Sequence, residues 1–146
     1  GAVVGLVHDV LFILGIYSIF YSIMPFSLEI DQSFIAAILT VIGYSINDTV
    51  VVFDRIRENV GLYPKRALNQ LINMSVNSTL SRTFSTSFST ALPLLAMFIF
   101  GGETIRGFVF AILLGVIVGT YSTIFIASPI AYDIQEKQAK KAIEKK

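Results

Sequence analysis

"YSINDTVVVFDRIREN", residues 44–59, decides how this chain is read. The uncharged run FIAAILTVIG, residues 34–43, leads into it. Asn47 and Asp48 interrupt a stretch that is otherwise apolar or hydroxyl-bearing, and the charged run DRIRE begins only after Phe53. A carboxylate therefore sits inside what reads as a membrane-spanning helix. At about 1.5 Å per residue, Asp48 lies roughly 7 Å from the polar end of that helix. An ionised side chain at membrane depth costs about 2.5 kcal/mol or more, so such residues normally face a bundle interior and have a partner. A functional carboxylate and a structural ion pair account for Asp48 equally well at this point.

The rest of the chain agrees with a membrane setting. Of its 146 residues 54% are hydrophobic and 14% charged, with mean hydropathy +0.73. A soluble domain carries roughly 25% charged residues. The absence of cysteine excludes disulfides and thiolate metal sites. The chain opens on an apolar run with neither an initiator Met nor a basic stretch, unlike a signal peptide, and reads as a piece of a longer protein.

About 20 mostly apolar residues are needed to cross a bilayer core. Four segments qualify, at about residues 2–24, 33–53, 78–100 and 108–132. The fold class is all-α: one polytopic membrane helix bundle spanning residues 1–146. Pro64, followed by Leu68, Leu71 and Ile72 at helical spacing, predicts a short amphipathic helix at about 64–74 on the membrane surface. Arg55, Arg57, Lys65 and Arg66 fill the second connection, with Arg82 close behind. The tail from residue 133 carries Lys137, Lys140, Lys141, Lys145 and Lys146. The first connection has no basic residue and the third has only Arg106. The positive-inside rule therefore puts the second connection and the tail in the cytoplasm.

Arg82 enters the third helix about one turn from its cytoplasmic end, near the depth of Asp48. The two residues form a charge-assisted pair if their side chains meet. Since Arg stays protonated, Asp48 is the member that titrates. The alternative is that Arg82 is simply the last inside positive charge, reaching lipid phosphates. His8 and Asp9 lie near the same end of the first helix, so Asp9, Asp48 and Arg82 share one layer or, equally, Asp9 marks an interfacial helix start. In the third helix ten of the sixteen residues from 75 to 90 are Ser or Thr, with Val76, Leu80, Phe84 and Phe88 as the apolar stripe. Such a surface is either the wall of a hydrated path or a close-packing face. Pro93 predicts a kink beyond it. Asp9, Asn47 and Ser85 are supporting site candidates. Gly107, Ala111, Gly115 and Gly119 recur at intervals of four and read as helix packing. The run DRIRE is by itself a solvated helix end.

"IGYSINDTVVVFDRIREN", "LSRT" at residues 80–83 and "FGGETIRGF" at 100–108 resemble the SecF family, including the SecF half of fused SecDF proteins, within the resistance-nodulation-division (RND) superfamily. "NMSVNSTLSRTFSTS" and "GVIVGTYSTIFIAS" carry the same resemblance. "YPKR" and "FGGETIRGFVF" look like SecDF fusions of the Bacteroidetes type. The resemblance covers nearly the whole chain, least so the tail. It implies the last four of six transmembrane helices of SecF, an RND-type transmembrane half, with Asp54, Arg55, Arg57, Glu58 and Asn59 as family signature. It further implies a non-enzymatic, cofactor-free role: using the proton gradient of the bacterial cytoplasmic membrane to draw preproteins out after the ATP-driven step. Asp48 and Arg82 are then the proton-path residues, with a further carboxylate from SecD. The implied partners are SecD, the SecYEG translocon, YajC and YidC, with no nucleic acid. The alternatives are another RND-type transporter of small substrates and a non-transporting translocon scaffold.

Overall fold

Backbone amides in a bilayer have no water to bond, so long apolar runs satisfy them internally as helices. The computed structural model describes the backbone of residues 1–144 and the side chains of residues 1–137. The side chains of Lys140 and Lys141, and Lys145 and Lys146 entirely, lie outside the described residues. Helix α1 is Ala2–Phe20, α2 Gln32–Leu62, α3 Leu68–Phe100 and α4 Glu103–Ser122. Helix α4 continues through a π-helical turn, Thr123–Ala127, into α5, Ser128–Glu144. Counting that last rod once, the described residues form four helices long and apolar enough to cross a membrane.

The helix ends differ from the expected ones for local reasons. The first helix stops at Phe20, and Ile23 and Met24 N–H groups close a turn on the Phe20 carbonyl ahead of Pro25. The second runs nine residues past position 53, to Leu62. It can do so because Ile56 packs against Ile72, Asn59 bonds α3, and Arg55 pairs with Glu58 one turn on at 2.6 Å. Pro64 then pushes Tyr63 out of helical backbone, to φ −127° and ψ 62°. The amphipathic helix expected at about 64–74 is not separate. Residues 64–66 form a turn in which the Arg66 guanidinium lies 4.8 Å from the Tyr63 ring centre, and Leu71 and Ile72 belong to the first turns of α3. Helix α3 passes through Pro93 without interruption.

The last rod is the hub. Of its most apolar window 56% is buried, against 22%, 28% and 11% for α1, α2 and α3. The glycine stripe explains why α2 can lie against it. A Cβ on Gly115 would overlap the Val41 side chain, one on Gly107 would stand 2.6 Å from the Ser27 carbonyl, and one on Gly119 would touch Ser45. Around this contact Ile13, Tyr17, Phe34, Ala37, Val41, Ala111 and Val116 form the main core, with Val52, Ile56 and Ile72 as a smaller one at the basic end. Helix α3 is peripheral. Its inner face is Leu71, Ile72, Ser75, Thr79 and Thr83, while Phe84 and Phe88 are 59% and 66% exposed.

Candidate functional site

Helices α2 and α3 meet along small hydroxyl residues spaced four apart. Ser75, Thr79, Thr83 and Ser87 line the inner edge of α3: Ser75 and Thr79 return their hydrogens to backbone carbonyls, Thr83 gives its own to Asp48 of α2, and Ser87 accepts from Tyr44 of α2. Asn59 donates to Ser75 at 2.7 Å, and Tyr44 donates to Ser87 at 3.1 Å. Ser87 in turn meets Thr120 of α4. Between these two crossings lies Asp48.

Asp48 is half-buried. Its Oδ1 accepts from the Thr83 hydroxyl at 3.3 Å, while Oδ2 is shielded from solvent and has no hydrogen-bond partner among the described residues. A carboxylate oxygen left without a donor in a low-dielectric place is costly. Arg82 is the residue before Thr83, about 100° around α3 from it, and lies near enough for its charge to act on the Asp48 carboxyl. It is exposed and lies beyond ion-pair distance of Asp48. Ser85 and Asn47 are exposed as well.

Asp9 occupies a different place. It is 1% exposed and sits where α1, α2 and α4 converge. Its Oδ2 accepts from Ser45 of α2 at 2.8 Å and from Ser122 of α4 at 2.9 Å, and its Oδ1 lies 3.2 Å from Nδ1 of His8. One turn along α2, Thr49 meets Thr123 at 2.9 Å, at the start of the π-helical turn. Asp9 and Asp48 do not share donors: Ser45 and Ser122 serve Asp9 and Thr83 serves Asp48, although Ser45 and Asp48 are only three residues apart on α2. Ser45, Thr83 and Ser122 are the residues that sequence reasoning missed. The fourfold spacing of hydroxyls through 75, 79, 83 and 87 was the available signal for Thr83.

In the signature run, Arg55 and Glu58 form an exposed ion pair, Asn59 is buried against Ser75, and Asp54 and Arg57 are exposed. No group of three metal-ligating side chains occurs among the described residues. At the other end of α2, Asp31 caps the helix by accepting from Phe34 N–H at 2.9 Å and the Ser33 hydroxyl at 2.7 Å. The hydroxyl of Ser33, then the amide of Phe34, hold its carboxyl below the ordinary value.

Residues 1–137 match the family of the protein export membrane protein SecD/SecF, C-terminal. The protein translocase subunit SecF of Rhodothermus marinus is 52% identical over 139 residues, covering 95% of this chain and 45% of that protein. The SecF subunit of Rickettsia rickettsii is 48% identical over 146 residues, covering 99% of this chain and 46% of that protein. The chain therefore spans a little under half the length of these relatives. The crystal structure of SecDF in the super-membrane-facing form superposes with a TM-score of 0.89 at 41% identity, over 99% of this chain and 19% of that one. With its fold matched and residues 1–137 accounted for in this way, the chain belongs to the SecD/SecF C-terminal family of protein export membrane proteins.

Proposed function

We propose that this chain is the C-terminal membrane part of a SecF-type translocase subunit that uses the proton gradient to promote late export of preproteins. Asp48 is the group that binds and releases the proton. The observation carrying this reading is its Oδ2, buried and without a donor at the face where α2 meets the peripheral α3. Protonation gives that oxygen a hydrogen of its own and removes the charge that holds α3 through Thr83, so the helices can repack.

Arg82 belongs to the same path from the other side. It faces outward on α3, where the SecD half would cover it, and its guanidinium would there meet the carboxylate that SecD supplies. The basic α2–α3 connection and the lysine-rich tail face the cytoplasm of a bacterial cell, on the positive-inside argument. SecYEG is the partner that delivers the preprotein, with YajC and YidC as accessory partners.

The test is gradient-dependent export by the full-length parent, wild type against Asp48→Asn, which keeps size and removes titration. Export that no longer responds to the gradient, at unchanged expression, supports the reading. Unchanged export would make Asp48 structural.

A further inference from the structure

We infer that Asp9 is a second proton-exchange site, loaded through His8 and separate from Asp48. The inference takes its role in export from the proton-coupling reading, but proton binding at Asp9 is a distinct property with its own readout.

The geometry accommodates a proton without breaking the site. Oδ2 is held by two hydroxyls, from Ser45 and Ser122. Both can stay as donors when Oδ2 changes from a carboxylate to a carbonyl oxygen. The Ser122 hydroxyl also has a second acceptor, the Gly119 carbonyl at 3.2 Å, so it can give up the bond to Asp9 without being stranded. The exchange itself runs across the 3.2 Å contact between Oδ1 and Nδ1 of His8. In the unloaded state Nδ1–H donates to the Oδ1 carboxylate. A proton arriving at Nε2 lets the Nδ1 proton pass to Oδ1. His8 is then neutral with its hydrogen on Nε2, and Asp9 donates back to Nδ1. The pair goes from one negative charge to none, and no bond other than N–H and O–H is made or broken.

His8 is placed for this task. It is 36% exposed while Asp9 is 1% exposed, so the ring bridges the outer face of α1 and the buried carboxylate. Among the described residues, the other titratable groups on the elements packed around Asp9 turn elsewhere. On α2, Tyr44 and Asp48 turn to Ser87 and Thr83 of α3, and Ser45 alone reaches Asp9. On α4, Tyr121 is exposed and stacked on Phe125, and Ser122 supplies the contact. The π-helical turn presents Thr123, bonded to Thr49. A π-helical turn beside the site fits a functional rather than purely structural role, because such turns cluster at functional sites.

The experiment is pH-step infrared difference spectroscopy on the full-length parent with SecD in proteoliposomes, reading the C=O band of protonated carboxyls. Asp9→Asn should remove one component of that band, and Asp48→Asn should leave that component in place. Ser122→Ala should shift it, since Oδ2 loses a donor. His8→Phe, which keeps both serine bonds, should retain the component but slow its appearance by about a hundredfold. It also carries the test if Asp9→Asn fails to assemble. A band that Asp9→Asn and Ser122→Ala both leave unaltered overturns the site. An unchanged rate in His8→Phe overturns the relay. Failure of the Asp48 reading leaves these spectra untouched, so the two claims fall separately.

Discussion

Asp9 and Asp48 are both carboxylates set in membrane-length helices, and they meet opposite surroundings. Asp9 lies at the junction of three helices with both oxygens in polar contact, from Ser45, Ser122 and His8. Asp48 lies at the seam between two helices with one long hydrogen bond and one empty oxygen. The difference follows from what lies beside them. Asp9 is pressed against the hub helix, whose glycines let serine hydroxyls come within reach. Asp48 faces α3, the least buried of the four membrane-length helices. A carboxylate's depth in the sequence does not decide whether it is closed or open; the helix it faces does.

The sharpest way to break this contrast is to move α2 off α4. Gly115→Leu drives a side chain into Val41 and prises Ser45 from Asp9, while α2 and α3 keep their own contact. Overpacking of this kind costs about 1–3 kcal/mol, and more where a backbone cannot yield. The expected result is a large loss of folded protein, read as retained monodisperse protein in detergent after a heating series. Full retention would show that the glycine stripe does not set the α2–α4 distance.

Smaller changes compare the two carboxylates directly. Ser45→Ala removes a 2.8 Å bond to a fully buried carboxyl, for an expected cost of about 1.5–3 kcal/mol. Thr83→Val removes a 3.3 Å bond to a half-buried one, for an expected cost of about 1 kcal/mol or less. Unfolding midpoints of the two variants in the same detergent rank them. Equal losses, or the reverse order, would erase the distinction between a closed site and an open one.

The sequence carried much of this arrangement and lost the rest for identifiable reasons. Four apolar runs define the membrane helices because hydrophobic length is a local property. The stripe from Gly107 to Gly119 was legible because the spacing of four is a property of any helix. Asp48 stands out in the sequence because a charge far from a polar boundary is costly there. Asp9 stands in the sequence only as a supporting candidate, since its burial at a three-helix junction depends on Ser45 and Ser122, 36 and 113 residues away. Arg82 shows the same limit in reverse. Its depth matched that of Asp48, but one helical position, about 100° of rotation, gives Thr83 the inward place and turns Arg82 outward. The stretch 64–74 looked like a separate surface helix because Pro64 resembles a helix start. Ala67 provides the actual start, and Asn59 and Ile56 hold the following turns to α2.

A third carboxylate supplies the control for that contrast. Asp31 is fully exposed at the N-terminus of α2, bonded to Ser33 and to Phe34 N–H, and its carboxyl is held below the ordinary value by those same two donors. A folded-state value below the unfolded one means that the unfolded chain takes up the proton first. The cap's contribution is therefore fully present above the ordinary carboxylate range, about pH 4, and fades as pH falls through the lowered folded value. Amide exchange at Phe34, corrected for its intrinsic pH dependence, should lose protection in that acid window. Amides further along α2, near Thr40, should keep theirs. Asp31→Asn keeps an acceptor for the amide and removes the titration, so its exchange should be flat over the same window. A wild-type profile as flat as the variant's would mean that the cap's charge adds nothing in water. The local effect is the smallest of the set, because solvent at Asp31 replaces whatever the helix withdraws, as it cannot at Asp9.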